Sequence, residues 1–187
     1  MPSSKQNFWQ PFVKWKKSLL SSEDFFDTAY ERAVEKARRT ESSEVMENLS
    51  TNHATVVMEN LFQLALDKGF NVNIVSGELH AECYDKLVAY LEKMKNKKLS
   101  VRVIVTNKNV LLNDNSFAKE MKEKGFLIKQ LYDDSQDHFM TVGDQAFRYE
   151  LVHAATKAKL SFNMSWFTKE LNEQFDKLYE QAHSLKV

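Results

Sequence analysis

The chain has 187 residues, 26 basic and 26 acidic, with a mass of 21.8 kDa and a pI near 7.0; that is one domain's worth, long enough to fold without disulfide or metal staples. The charge balance excludes a protein that holds nucleic acid by bulk charge and leaves only a local basic patch, while 43% hydrophobic residues exclude a mainly disordered chain. Four glycines and two prolines argue against a turn-rich all-β fold or a Gly-rich phosphate loop, and the single cysteine, Cys83, makes an internal disulfide impossible and points to a reducing, cytoplasmic compartment.

In chain order, the first fifty residues form a helical N-terminal extension. Phe8, Phe12, Trp15 and Leu19 follow one helical face with Trp9, Val13 and Leu20 beside it, and every charge among residues 1–20 is a lysine. Lys14, Lys16 and Lys17 interrupt the apolar residues, so this start lacks the uninterrupted apolar stretch expected of a signal peptide, and no run reaches the ~18 apolar residues of a membrane span. Such a helix can pack on its own domain or dimer, dock on a protein partner through Phe8, Trp9, Phe12 and Trp15, or lie in a membrane interface. Burial of its large aromatics favours the first, with Trp9 and Trp15 covered. Ser21-Ser22-Glu23-Asp24 reads as a cap that restarts a helix through Phe25, Phe26, Ala29, Tyr30 and Ala33. The pattern fades from Arg38 to Ser50, which suggests a linker and a boundary between residues 1–50 and a domain over 51–187.

The domain is regular. A helix over Thr55–Lys68 closes on Gly69, a strand covers Asn71–Val75, and a helix runs from about Leu79 to Lys95. Val101–Thr106 is the cleanest strand, a polar loop covers Asn107–Asn115, and a short helix ends at Gly125 before a strand over Phe126–Tyr132. Phe139–Val142 and Ala146–Leu151 form a hairpin around Gly143-Asp144. A short strand at Leu160–Phe162 and a helix over Trp166–Leu185 finish the chain. Strands alternating with helices predict a mixed α/β layered fold, parallel at its start and antiparallel at the hairpin.

Three groups of residues invite a chemical reading. His80 and Cys83 are spaced for one helix face, but two ligands with no second pair do not make a zinc site, and no base is placed to activate Cys83; a surface histidine and a half-buried thiol are the plainer reading. Lys93, Lys95, Lys97 and Lys98, followed by Arg102, meet phosphates or, more simply, form a solvated helix end. The densest constellation is His138, Asp144, Arg148, Glu150, Ser161 and Asn163: Arg148 and Glu150 share a strand face, and the cluster offers anion contacts. Its plain alternative is that Asp144 serves the turn and Arg148 with Glu150 is a sheet-surface pair.

Together, the order of elements and these residues resemble the phospholipase D superfamily over about Thr55 to Leu185. The matching segments are Val72–Gly77, Val101–Thr106, Gly125–Ile128, His138–Asp144 and Leu160–Asn163 leading into Phe175–Leu178. Active members carry H-x-K-x4-D and then G-S-x-N, the histidine attacking phosphorus while the lysine and asparagine hold phosphate oxygens. His138 takes the nucleophile's place, Met140 stands where the lysine belongs, Asp144 falls one residue short of the aspartate, and Ser161-Phe162-Asn163 follows Leu160 instead of glycine. The resemblance thus implies a phospholipase D-like mixed sheet flanked by helices, in a degenerate single-copy member that pairs as a two-fold homodimer. It further implies a non-catalytic binding or regulatory role without a cofactor, toward a phosphate-containing ligand or nucleic acid, through Arg148, Glu150, Ser161 and Asn163. The alternative is a phosphodiesterase, a nuclease or phospholipase, with His138 as nucleophile and Arg148 or Lys157 supplying the missing cation.

Overall fold

A computed structural model describes residues 22–107, 115–152 and 157–184, so the amphipathic segment with Trp9 and Trp15 lies outside the described residues. Helix α1 (Ser22–Arg39) leads to β1 (Met46–Asn48) and α2 (Thr51–Lys68). Then come β2 (Val72–Ser76), a short α3 (Ala81–Tyr84), a 3₁₀ turn over Asp85–Leu87, α4 (Val88–Asn96), β3 (Val101–Val105), α5 (Ser116–Lys124) and β4 (Leu127–Gln130). The hairpin β5 (Phe139–Val142) and β6 (Ala146–Val152), then β7 (Lys157–Ser161), α6 (Ser165–Gln181) and β8 (His183–Ser184) complete the order. Among the described residues these strands form one sheet in the order β1-β7-β6-β5-β2-β3-β4-β8.

The centre is built from crossovers. β2 pairs with β3 and β3 with β4 in parallel, which requires a return connection of the kind α3–α4 and α5 supply. The β-branched runs Val72-Asn73-Ile74-Val75 and Val101-Arg102-Val103-Ile104-Val105 suit strands covered on both faces. One face, through Val72, Ile74, Val103 and Met140, packs on Leu61, Phe62, Leu91 and Phe117 of α2, α4 and α5. The other, through Val75, Ile104, Phe139 and Phe147, packs on Leu171, Phe175 and Leu178 of α6.

Local signals set the helix ends. Ser50 Oγ accepts the His53 N–H at 3.2 Å to start α2, and Asn115 Oδ1 accepts the Ala118 N–H at 2.9 Å to start α5. Gly143 opens the hairpin turn at φ 51, and a Cβ there would lie 2.9 Å from Phe70 Cγ, so both backbone angle and space require glycine.

Three expectations change. The fading stretch before residue 50 contains β1, whose three residues pair antiparallel with Leu160, Lys159 and Ala158 of β7. This places part of the 1–50 extension inside the sheet, and Arg38 of α1 also bonds Asp67 of α2 at 2.6 Å. The helix over 79–95 is divided by the 3₁₀ turn. The last helix stops at Gln181 because Ala182 turns extended and buried, delivering His183 and Ser184 to pair with Gln130 and Lys129.

Candidate functional site

The sheet brings three of the sequence-singled residues together at the carboxyl ends of β2 and β3, where open α/β sheets place their ligands. His138 immediately precedes β5, and its carbonyl accepts the Glu150 N–H at 2.9 Å. Glu150 is paired with Ala158 of β7, and Ala158 with Asn48 of β1. A row therefore runs from β1 through β7 and β6 to the residue before β5, and strand pleating puts these side chains on the α2 face. Arg148 lies one pair further in, opposite Met140 on one side and Leu160 on the other.

Hydrogen bonds link this row into one network. His138 Nδ1 lies 3.2 Å from Glu150 Oε2, and Glu150 Oε1 accepts from Arg148 Nη2 at 3.2 Å. Arg148 Nε donates to Asn48 Oδ1 at 3.1 Å. On the far side, His138 Nε2 lies 3.3 Å from Thr106 Oγ1. A carboxylate at Nδ1 holds that nitrogen as the N–H and turns the Nε2 lone pair toward Thr106. Both His138 and Arg148 are only 8% exposed, and Asn48 and Thr106 are fully buried. His138, Arg148 and Glu150 border a cavity of about 70 Å³ lined also by Ser76, Glu78, His80 and Tyr84. Burial pushes the Tyr84 phenol up to about 12, and burial likewise raises Tyr30, against the opposing pull of Arg148; neither phenol supplies an anion at neutral pH.

Met140 is 2% exposed and belongs to the hydrophobic core beneath this network. Its cross-strand partner is a cation, Arg148, whose Nε and Nη2 are both engaged.

Ser161 and Asn163 are placed elsewhere. Ser161 pairs with Phe147, three residues along the ladder from the Glu150–Ala158 pair, which is roughly 10 Å at strand rise. Its Oγ donates to the Ser42 carbonyl at 3.4 Å and accepts the Asn163 N–H at 3.3 Å; the Asn163 residue is exposed. Asp144, at the hairpin tip, accepts from Asn172 Nδ2 at 2.9 Å. Asn172 also donates to the Gly143 carbonyl and accepts from Asn73 and Thr141, so it clamps α6 to the hairpin. Lys157, at the start of β7, is exposed.

The other sequence candidates resolve into structural roles. His80 is exposed while Cys83 is buried with its thiol toward the Thr51 carbonyl, and no group of three His, Cys, Asp or Glu among the described residues is arranged to hold a metal. Arg102 is on the α6 face, stacked against Phe175 and Tyr179 and paired with Asp176 at 3.0 Å. It borders an open groove of about 600 Å³ with Asn73, Asp144, Asn172 and Asp176, at the opposite end of the strands from His138. Lys97 donates to the Leu66 carbonyl at 2.7 Å, which anchors a helix end. Sequence reasoning did not single out Asn48 or Thr106: Thr106 only closes the Val101–Thr106 strand, Asn48 lies in the fading stretch, and the sheet register alone brings them to His138 and Arg148.

No protein-family model matches the chain, and no curated protein is similar to it in sequence. Solved structures are. The archaeal chromatin protein TrmBL2, described as showing a novel mode of DNA binding, superposes with a TM-score of 0.58 at 16% identity, over 98% of this chain and 72% of that one. Nuc, a phospholipase D family member from Salmonella typhimurium, superposes with a TM-score of 0.54 at 13% identity, over 77% of this chain and 99% of that one. The fold is phospholipase D-like. This phospholipase D-like sheet puts His138 at its carboxyl edge, and no helix of the described residues is long and apolar enough to cross a membrane.

Proposed function

We propose that this chain is a catalytically degenerate phospholipase D-like protein, a homodimeric binding or regulatory module whose His138–Arg148 cavity receives the phosphoryl end of a phosphate-containing ligand. The observation that carries the reading is Met140, a buried neutral thioether that lines this cavity at the position where phosphoryl chemistry calls for a cation. A missing donor to developing charge typically costs ~10² to 10³ in rate. Arg148 does not replace it freely, being held by Glu150 and Asn48. It does keep further guanidinium N–H groups for an anion, since arginine has five donors. A cavity of about 70 Å³ is far below the roughly 300–1,000 Å³ that encloses a whole small ligand; it suits one compact group with the remainder of the ligand outside. Homodimerisation rests on the single copy of the cluster in the chain and on the prevalence of two-fold pairs.

One observation favours a second reading, an active phosphodiesterase. Glu150 orients His138 so that Nε2 carries the lone pair, which is the arrangement a histidine nucleophile needs. Purified protein incubated with plasmid, single-stranded oligonucleotides and a generic aryl phosphodiester separates the two readings. The binding reading expects no turnover above that of His138→Ala; hydrolysis that disappears in His138→Ala overturns it. Light scattering behind a sizing column is expected to give twice 21.8 kDa, and the monomer mass at micromolar concentration removes the homodimer.

A further inference from the structure

The anion reading above depends on where the Arg148 guanidinium points, and an arginine side chain is long and has many rotamers. Two groups hold it: Glu150 on its own strand and Asn48 on β1. Asn48 and Glu150 both flank Ala158 in the same row across β7. A guanidinium bonded to both must therefore lie over Ala158, which is itself 1% exposed and has no side chain beyond Cβ to block that path. We propose that Asn48 is the positioning residue of the cavity. Its buried amide oxygen takes the Nε–H and thereby fixes the plane of the guanidinium, leaving the Nη1 side of the fork, which makes no hydrogen bond among the described residues, for an anionic ligand.

The consequence is that β1, which lies at the sheet edge and comes from the segment before α2, is a component of the site and not a connection leading to the domain. Glu41 and Ser42 reinforce the same attachment: Gln145 donates to Glu41 at 3.0 Å and Ser161 to the Ser42 carbonyl at 3.4 Å. This inference rests on the binding reading for its ligand but not for its geometry, and the experiment separates the two.

In nitrogen-15 spectra of the full chain, Arg148 is expected to show a slowly exchanging Nε–H signal distinct from solvent-exposed arginines. Asn48→Ala should lose that signal while keeping the backbone amide spectrum of a folded protein, and Asn48→Asp, which retains the acceptor, should keep it. Inorganic phosphate should bind Asn48→Ala about tenfold or more weakly than wild type, as expected for loss of one hydrogen bond to a charged group. Arg148→Lys, which keeps the charge but lacks Nε, should be weakened similarly. An averaged, fast-exchanging Arg148 signal in the wild type overturns the inference outright, whatever the variants do. So does an unchanged signal in Asn48→Ala, or an Arg148→Lys protein that binds phosphate as wild type does. A wild type that shows the protected Nε–H but no phosphate binding sinks the binding reading and leaves Asn48's positioning of Arg148 standing.

Discussion

Replacing Arg148 by methionine tests whether the His138–Glu150–Arg148–Asn48 network is a coupled buried unit. The side chains of Arg148 and Glu150 are 9% and 13% exposed. Removing one partner of a buried pair costs about 3–5 kcal/mol. Glu150 keeps His138 at 3.2 Å and some solvent contact, so the lower end, about 3 kcal/mol, is expected for Arg148→Met. For a chain of this length each kcal/mol moves the midpoint by about 2–4 °C, giving roughly 6–12 °C. Glu150→Leu alone strands the Arg148 charge and should cost a similar ~3 kcal/mol. The Arg148→Met/Glu150→Leu double variant removes both charges, and exchange of a buried pair for apolar residues is often neutral. It still removes the Arg148–Asn48 and His138–Glu150 hydrogen bonds, which should leave a net loss of about 1–3 kcal/mol, well short of the sum of the singles. Urea unfolding followed by far-ultraviolet circular dichroism measures all three. Single variants within ~0.5 kcal/mol of wild type, or a double variant equal to their sum, would show that the four side chains are not a coupled buried unit.

Two further outcomes follow from the same geometry. Gly143→Ala combines a left-handed backbone angle with a Cβ driven to 2.9 Å from Phe70, and should lower stability by about 1–3 kcal/mol in equilibrium unfolding; a neutral result would show that the hairpin turn relaxes freely. Tyr84 is raised to about 12 by burial. A neutral phenol favoured by the fold contributes stability that is complete below the unfolded phenol's value near 10 and is lost as pH rises toward about 12. Tyr84→Phe should therefore flatten the decline of urea midpoints across that alkaline window, and an unaltered slope would contradict the burial of the hydroxyl.

Much of the architecture was legible because it rests on local signals. The β-branched runs of β2 and β3, the closing Gly69 and Gly125, and the Gly143-Asp144 turn are properties of the chain near each residue. β1 and β8 were not, because three and two residues carry no usable periodicity and become strands only by pairing with β7 and β4. The candidate site divides along the same line. Arg148 and Glu150 share a face by strand alternation alone, and His138 joins them once the hairpin register is known. Ser161 ends the strand that neighbours Arg148 and Asn163 follows it, yet β7 runs antiparallel to β6, so its end carries them away from His138. Asn48 lies 100 residues from Arg148 in sequence, a distance no spacing argument crosses.

The most direct test of the central claim is a titration of the full chain with inorganic phosphate, read on the Arg148 guanidinium and His138 imidazole resonances alongside the backbone amides. Saturable shifts are expected to concentrate at Arg148, His138 and Thr106, with no phosphodiester turnover by the same sample. Shifts confined to exposed lysines such as Lys157, or no saturation at any of these three residues, would contradict it.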